Sequence, residues 1–254
     1  MLARRQWLFA MAALLPILAI FAWVRFYPIE ETLRMSLHEW NLISKTRPFI
    51  GLANFQELFG DKLFLTALFN TTVIAFGTLA ITIPVGMSVA ALINYRLGSR
   101  LAGVFETTTF IPYIVPLVPA AMAWKWIFDA RLGPLNAFLS LFGISPLSWL
   151  FDPVLSVICV IVLCSWQAIG YAVLIYVVGF RNLPTNVFEA AKLDGASGLQ
   201  AFWHVAVPLL RPITLYVSVV TLISGFNVYA QAYVLASDAQ GAPGRQVRVL
   251  VLDM

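Results

Sequence analysis

An all-α bundle of membrane-crossing helices is the fold class this sequence predicts, and three observations predict it. Hydrophobic residues make up 61% of the 254 residues and charged residues only 11%. A soluble domain carries roughly a quarter charged residues. Mean hydropathy is +0.86. The apolar residues also fall in long continuous runs, unlike the short alternating strands of a membrane barrel. One helical domain in a lipid bilayer follows.

The runs can be justified in order. After a short basic start with Arg4 and Arg5, the chain is apolar from Trp7 to about Tyr27. A secretory leader has the same flank, but its apolar core is shorter and a small-residue cleavage site follows it. This run reads as a first span. Residues 28–62 are mixed, with part expected as an amphipathic interfacial helix and a short helical turn at 54–59. The run Phe64–Tyr95 exceeds the roughly 20 residues a span needs. Pro84 is expected to kink it, and Gly77 and Gly86 to admit close neighbours. Residues 96–103 read as a polar turn.

The third run, Val104–Phe128, holds Pro112, Pro116 and Pro119. It predicts a broken or strongly bent helix, which needs protein or a cavity around it. Residues 129–152 form a loop fringed by Trp124, Trp126, Phe128, Trp149 and Phe151, as at a membrane interface. A short surface helix is expected within 133–143. The fourth span runs from Val154 to Gly179. Its Cys159 and Cys164 read as small buried hydrophobes. The fifth runs from Ile213 to Leu235. No further span fits beyond Ala236, because VRVLVLD is too short to cross. Five spans put the termini on opposite sides. The expected organisation is a first helix with an external loop (1–62) and a core (63–254).

Between the fourth and fifth spans lies a stretch of different character, Leu183–Pro212. Asn186 and Glu189 fit a capping box, so a helix is expected from Val187. Gly195 interrupts it. Ser197 and Gln200 fit a second box, opening a helix that Pro208 must bend or end. The pattern is helix, tight turn, helix beside a membrane surface.

Other classes are disfavoured. No nucleophile sits with a base, no Walker loop exists, and His38 and His204 belong to no ligand motif. The chain is therefore expected to bind no metal or cofactor and to catalyse nothing itself. The net charge of +4 suits lipid headgroups, and no basic and aromatic stripe suggests nucleic acid. Basic residues divide almost evenly between the two faces, so charge alone does not orient the chain. An ion-coupled transporter predicts an intramembrane carboxylate, and only Glu106 lies near one end of a span. A sensor or anchor predicts an attached domain, for which no stretch is long enough.

The run Glu189-Ala190-Ala191-Lys192-Leu193-Asp194-Gly195-Ala196, with Pro208-Leu209 thirteen and fourteen residues after the glycine, resembles the EAA signature of permease subunits in bacterial ATP-binding-cassette importers. The flanks resemble the carbohydrate-uptake branch, of the maltose and glycerol-phosphate (MalF/UgpA-like) type. They are Leu68-Phe69-Asn70-Thr71, Phe110-Ile111-Pro112, Trp124 to Phe128, Gly133-Pro134-Leu135-Asn136 and Gly179 to Pro184. The resemblance implies a MetI-like, type I importer fold in the inner membrane. Relatives continue from Val249–Leu252 into a further core helix, so the expected fold lacks that last helix. The resemblance also implies partners: a homologous second permease, two ATPase subunits that bind ATP and Mg, and an external substrate-binding protein. It places the EAA turn in the cytoplasm, its first helix docked in a groove of the ATPase. Glu189, Ala190, Ala191, Lys192, Asp194, Gly195 and Ala196 are the implied coupling residues. The cargo implied is a sugar, with glycerol 3-phosphate or another small polar solute as the alternative. A phosphate would call for basic side chains in the path.

Several residues keep two uses open. Glu189 and Asp194 serve either as caps or as docking contacts. Pro116 and its neighbours either kink the helix or line a path. Asn70 and Asn227 either bond across helices or meet a sugar hydroxyl. Gly225, Asn227 and Tyr229 are the fifth-span candidates for a translocation path, and Trp166 and Gln167 the fourth-span ones, since aromatic faces and amides suit sugars.

Overall fold

The computed structural model describes residues 2–40, 47–236 and 249–250, and within them the protein is all-α. Contacts divide the chain into two units, Met1–Phe64 and Leu65–Met254. In the first, α1 (Leu2–Phe21) passes through a π-turn, Ala22–Phe26, into α2 (Tyr27–Ser36). The helix thus runs past the expected end at Tyr27. The cause is Pro28. Its ring cannot donate to the preceding turn, and the turn widens so that the Tyr27 amide donates to Ala22 O, five residues back. Beyond α2 the chain folds back. Asn54, near the start of α3 (Ala53–Gly60), donates from Nδ2 to Ser36 O at 2.9 Å and His38 O at 3.0 Å. These are carbonyls that the end of a helix leaves without partners. The guanidinium of Arg47 lies 3.6 Å over the Trp40 ring.

The second unit is built from α4 (Lys62–Arg96), α5 (Ser99–Ile114), α6 (Leu117–Ile127), α7 (Pro134–Ser140), α8 (Pro153–Arg181) and the elements after it. Pro84 sits inside α4 without ending it. The turn after α4 is shorter than expected, because α5 already starts at Ser99. The proline-rich third run breaks as its composition demands. α5 and α6 meet at 95° across Val115 and Pro116. α8 starts on Asp152, whose carboxylate accepts from the amides of Val154 and Leu155, a strong N-cap. The fifth run is not one helix, as had been expected. α12 (Arg211–Phe226) ends before Asn227, and α13 (Ala230–Ala236) turns back against α6. Among the described residues, three helices are long and apolar enough to cross a membrane alone, or up to five if each bent pair counts as one span. The tail beyond Ala236 lies mostly outside the described residues.

Small residues set the spacing of the bundle, as expected for helices packing without a hydrophobic drive between them. A methyl group on Gly86 would stand 2.8 Å from the Ala172 Cβ, and one on Gly77 2.9 Å from Ile161. One on Gly225 would stand 2.7 Å from the Ala75 Cα. α12 therefore touches α4 nearly backbone to backbone, and α8 side chains lie directly on the α4 backbone. Two apolar cores form along α8. Cys159, Val160 and Leu163 join Ile74, Ala121, Phe128, Val228 and Leu235 in one. Val173, Tyr176, Val177 and Phe180 join Met87, Ile93, Leu210 and Val217 in the other. Cys159 and Cys164 are free and buried.

Asn136 on α7 is buried, although the sequence suggested a surface helix. Its Nδ2 donates to Ala130 O and Leu147 O at 3.1 and 2.9 Å. Its Oδ1 accepts from the Leu147 amide and Trp149 Nε1 at 3.1 and 2.9 Å. All four bonding positions of the amide are filled, and the loop before α8 is pinned by them.

Candidate functional site

The stretch between the fourth and fifth runs folds as two short helices around a glycine. α9 (Thr185–Leu193) begins one residue after Pro184, whose fixed φ of −69° suits a helix entry. This corrects the Asn186–Glu189 capping box. Pro184 takes the cap position, no side chain caps the helix, and the Asn186 Oδ1 accepts from its neighbour Val187 instead. Gly195 then turns the chain with φ +81°, with nothing within 4 Å of where a methyl group would sit. That left-handed conformation costs other residues roughly 1–2 kcal/mol. The second box is present in full. The Ser197 Oγ accepts from the Gln200 amide at 3.3 Å, and the Gln200 Oε1 accepts from the Ser197 amide at 2.8 Å.

α10 (Gly198–Ala201) continues through a π-turn, Phe202–Ala206, into α11 (Val207–Leu209). Pro208 is absorbed by that widened turn, as Pro28 is by the first. The bend falls later, at Leu210, where the chain turns by 66° into α12.

The two faces of α9 differ. Glu189, Ala190, Lys192, Asp194 and Gly195 are exposed, and Ala191 and Ala196 half-buried. Leu193 is 89% exposed, an apolar side chain standing free at the end of the helix. On the inner face, Phe188 packs against the core that holds Phe180. Its ring lies 6.4 Å from that of Tyr95 on α4. Tyr95 meets Phe180 edge-on at 5.6 Å, and Phe180 stacks on Phe202 at 6.3 Å. This aromatic group binds the ends of α4 and α8 to both short helices. A groove of about 780 Å³ runs beside it, lined by Leu92, Tyr95, Phe188, Lys192, Leu199 and Phe202 among others.

A second feature lies mid-bundle. A cavity of about 210 Å³ opens between α4, α5, α8 and α12, with Thr78, Tyr113, Gln167, Tyr171, Thr221 and Ser224 on its walls. It separates the two apolar cores along α8. The Thr78 hydroxyl is buried and has no partner in the protein. Leaving such a group unbonded costs roughly 1–3 kcal/mol. Tyr171 and Tyr216 share a hydrogen bond of 2.8 Å beside the cavity. None of these lining side chains is charged.

Residues 82–248 match the family model described as "Binding-protein-dependent transport system inner membrane component". The chain belongs to that family. It is 32% identical over 239 residues to a probable ABC transporter permease protein, YurN, of Bacillus subtilis (strain 168), covering 93% of this chain and 80% of the relative. It is 31% identical over 210 residues to the arabinooligosaccharides transport system permease protein AraP of the same organism, covering 82% of this chain and 66% of AraP. Its fold is that of a crystal structure of a bacterial ABC transporter involved in import of the acidic polysaccharide alginate. The TM-score is 0.78 at 22% identity, over 97% of this chain and 82% of the other. This permease is accordingly a multi-pass membrane protein.

The path candidates of the permease separate in space. Gln167 and Gly225 line the cavity. Pro116 caps α6 at the break, and Trp166 packs on Trp124 at 5.8 Å. Asn227 ends α12 and donates to Ile223 O at 2.7 Å, and Tyr229 stacks on Tyr233 at 5.7 Å. Asn70 precedes Thr71, a buried residue whose Oγ1 accepts from the Leu250 amide at 3.0 Å. Thr78, Tyr113, Tyr171, Thr221 and Ser224 were missed. Their only signal was a hydroxyl in an apolar run, one that core residues share. Phe188 and Leu193 were missed too, though the period of α9 puts the five-residue step between them on different faces.

Proposed function

We propose that this permease carries sugars across the membrane as one half of the transmembrane pathway of an ATP-driven, binding-protein-dependent importer. A homologous second permease supplies the other half. Two ATPase subunits bind ATP and Mg at the cytoplasmic face, and an external binding protein delivers cargo. The chain itself hydrolyses nothing. The observation that carries this reading is the exposed α9, braced from behind by Phe188 and followed by the Gly195 turn. Its outer face offers Glu189 and Lys192 for charge pairs, Ala190, Ala191 and Ala196 as a slim profile, Asp194 at its end and Leu193 as an apolar tip. That shape suits a groove on a motor subunit, and its mount suits the transfer of displacement into α4 and α8.

The sugar assignment is supported by the name of AraP and by the cavity. Hydroxyls, an amide and tyrosine faces with no charge match a neutral polyol. A phosphate-bearing cargo would leave its charge uncompensated among Thr78, Gln167 and Ser224, which favours the neutral sugar. Gln167 and Gly225 are the path residues this reading retains at the cavity. Asn70, Pro116, Trp166, Asn227 and Tyr229 serve it by holding the helices that frame it.

Affinity purification of the permease, coexpressed with its genomic neighbours, tests the reading. ATPase and second-permease subunits are expected in the same particle, with the ATPase lost on Glu189→Lys combined with Leu193→Asp. A particle without any ATPase would overturn it.

A further inference from the structure

Arg181 is the last residue of α8, four positions ahead of the start of the coupling helix α9. Its guanidinium pairs with the carboxylate of Glu106 on α5. Glu106 is 19% exposed and Arg181 54%. An acid within an apolar run is costly unless neutralised, so the pair explains how Glu106 is accommodated. It also occupies a particular place. α5 and α8 run antiparallel and touch at three further levels. Mid-length, Gly170 lies so close that a methyl group there would stand 2.7 Å from Thr109 O and 3.4 Å from the Tyr113 nitrogen. The Tyr113 and Tyr171 rings lie 5.0 Å apart. At the break, Gln167 Nε2 donates to Val115 O at 3.4 Å, a long bond.

The middle contacts are smooth. A glycine against backbone, and two overlapping rings, hold two helices together but resist sliding weakly. A charge-assisted pair is directional and about twice as strong as a neutral hydrogen bond. Among the described residues it is the one ion pair that joins α5 to α8.

We propose that Arg181 and Glu106 are positioning residues that make the broken span α5–α6 follow the coupling helix. The proposal rests on the coupling role given to α9 above. A displacement of α9 pulls on the end of α8 through Asn182–Pro184. The ion pair passes it to α5, and α5 carries it to the break at Val115–Pro116 beside the cavity. Without the pair, α8 moves and α5 lags.

The test uses the whole importer complex in nanodiscs. Spin labels are placed at Val104→Cys on α5 and Thr185→Cys on α9, both exposed. Distances are read without nucleotide and with ATP trapped by vanadate. With the pair intact, the separation stays the same in both states. Glu106→Gln, and separately Arg181→Gln, should make it differ by more than about 2 Å, the scale of helix shifts in switching proteins. The charge exchange E106R/R181E should restore a constant separation. Single variants as constant as the parent would overturn the proposal, as would an exchange no better than the singles. If the singles fail to enter the membrane, the exchange decides alone: recovered insertion with a constant distance supports the pair, and no recovery overturns it. Failure of the coupling role itself looks different, since the parent permease would then retain no ATPase subunits on purification.

Discussion

Truncating Phe188 to alanine should unseat the coupling helix while leaving its outer face unchanged. Full burial of a phenylalanine is worth about 3–5 kcal/mol on truncation to alanine. Phe188 is only half-buried, against the core around Phe180 and the Tyr95 ring, so roughly half of that, about 2 kcal/mol, is at stake. At about 1.4 kcal/mol per factor of ten, the ratio of seated to unseated α9 falls by roughly 30-fold. Hydrogen exchange reads such local opening directly. Backbone amides of 189–193 in the purified permease should exchange about 30-fold faster in Phe188→Ala. Leu193→Ala is the control. That side chain is 89% exposed, so its removal should leave exchange unchanged in the isolated permease yet weaken retention of the ATPase. If the two variants exchange alike, the division of α9 into a mounted face and a docking face is wrong.

Three further outcomes follow from local geometry. Asn136→Leu removes an amide that fills four bonds and leaves the Leu147 and Ala130 groups unpaired. A loss of about 3 kcal/mol is expected, seen as a lower unfolding midpoint and faster proteolysis of residues 129–152. Gly195→Ala places a side chain at φ +81° and should cost about 1 kcal/mol, slowing coupling without loss of membrane insertion; Gly195→Asn, which tolerates that conformation better, should cost less. The Asp129 carboxylate, outside the spans, is held below its ordinary value by the amides of Leu132 and Arg131. Its folded value is the lower one. Its contribution is therefore complete above the ordinary value of 3.8 and fades as pH falls through the lowered one. The group is solvent-facing, so the effect is small, and Asp129→Asn should flatten it in an acid titration of stability.

Local features were legible in the sequence and distant ones were not. The Ser197–Gln200 box needs only residues three apart, and it formed as read. The broken third span followed from its cluster of prolines, with the break falling at Val115–Pro116 while Pro112 sits inside α5. The Asn186 box failed because Pro184, two residues earlier, took the entry with a backbone already set for it. Pro208 was read as a bend or an end, yet it, like Pro28, is absorbed by a five-residue π-turn. Which of these a proline produces depends on what the widened turn packs against, and sequence spacing does not carry that. The Asn136 hub joins residues 11 and 13 apart, and the Arg181–Glu106 pair joins residues 75 apart. Nothing within a helical period announces such partners.

The two apolar cores bear on where this permease can move. Close-packed interiors resist gradual deformation and shift as blocks. One block contains Phe128, Leu163, Val228 and Leu235, the other Met87, Tyr176, Phe180 and Leu210. α8 passes through both, and between them, at Gln167, Ala168 and Tyr171, it borders the cavity on one side while Gly170 and Tyr171 pack on α5. Thr78, on α4, lines the same gap. The aromatic mount of α9 belongs wholly to the second block, through Phe188, Phe180 and Phe202. The mount therefore lies on one side of the gap that Gln167, Thr221 and Ser224 line. On the function proposed above, a solute in the gap and a push on α9 meet at α8, which runs through both clusters and along the cavity.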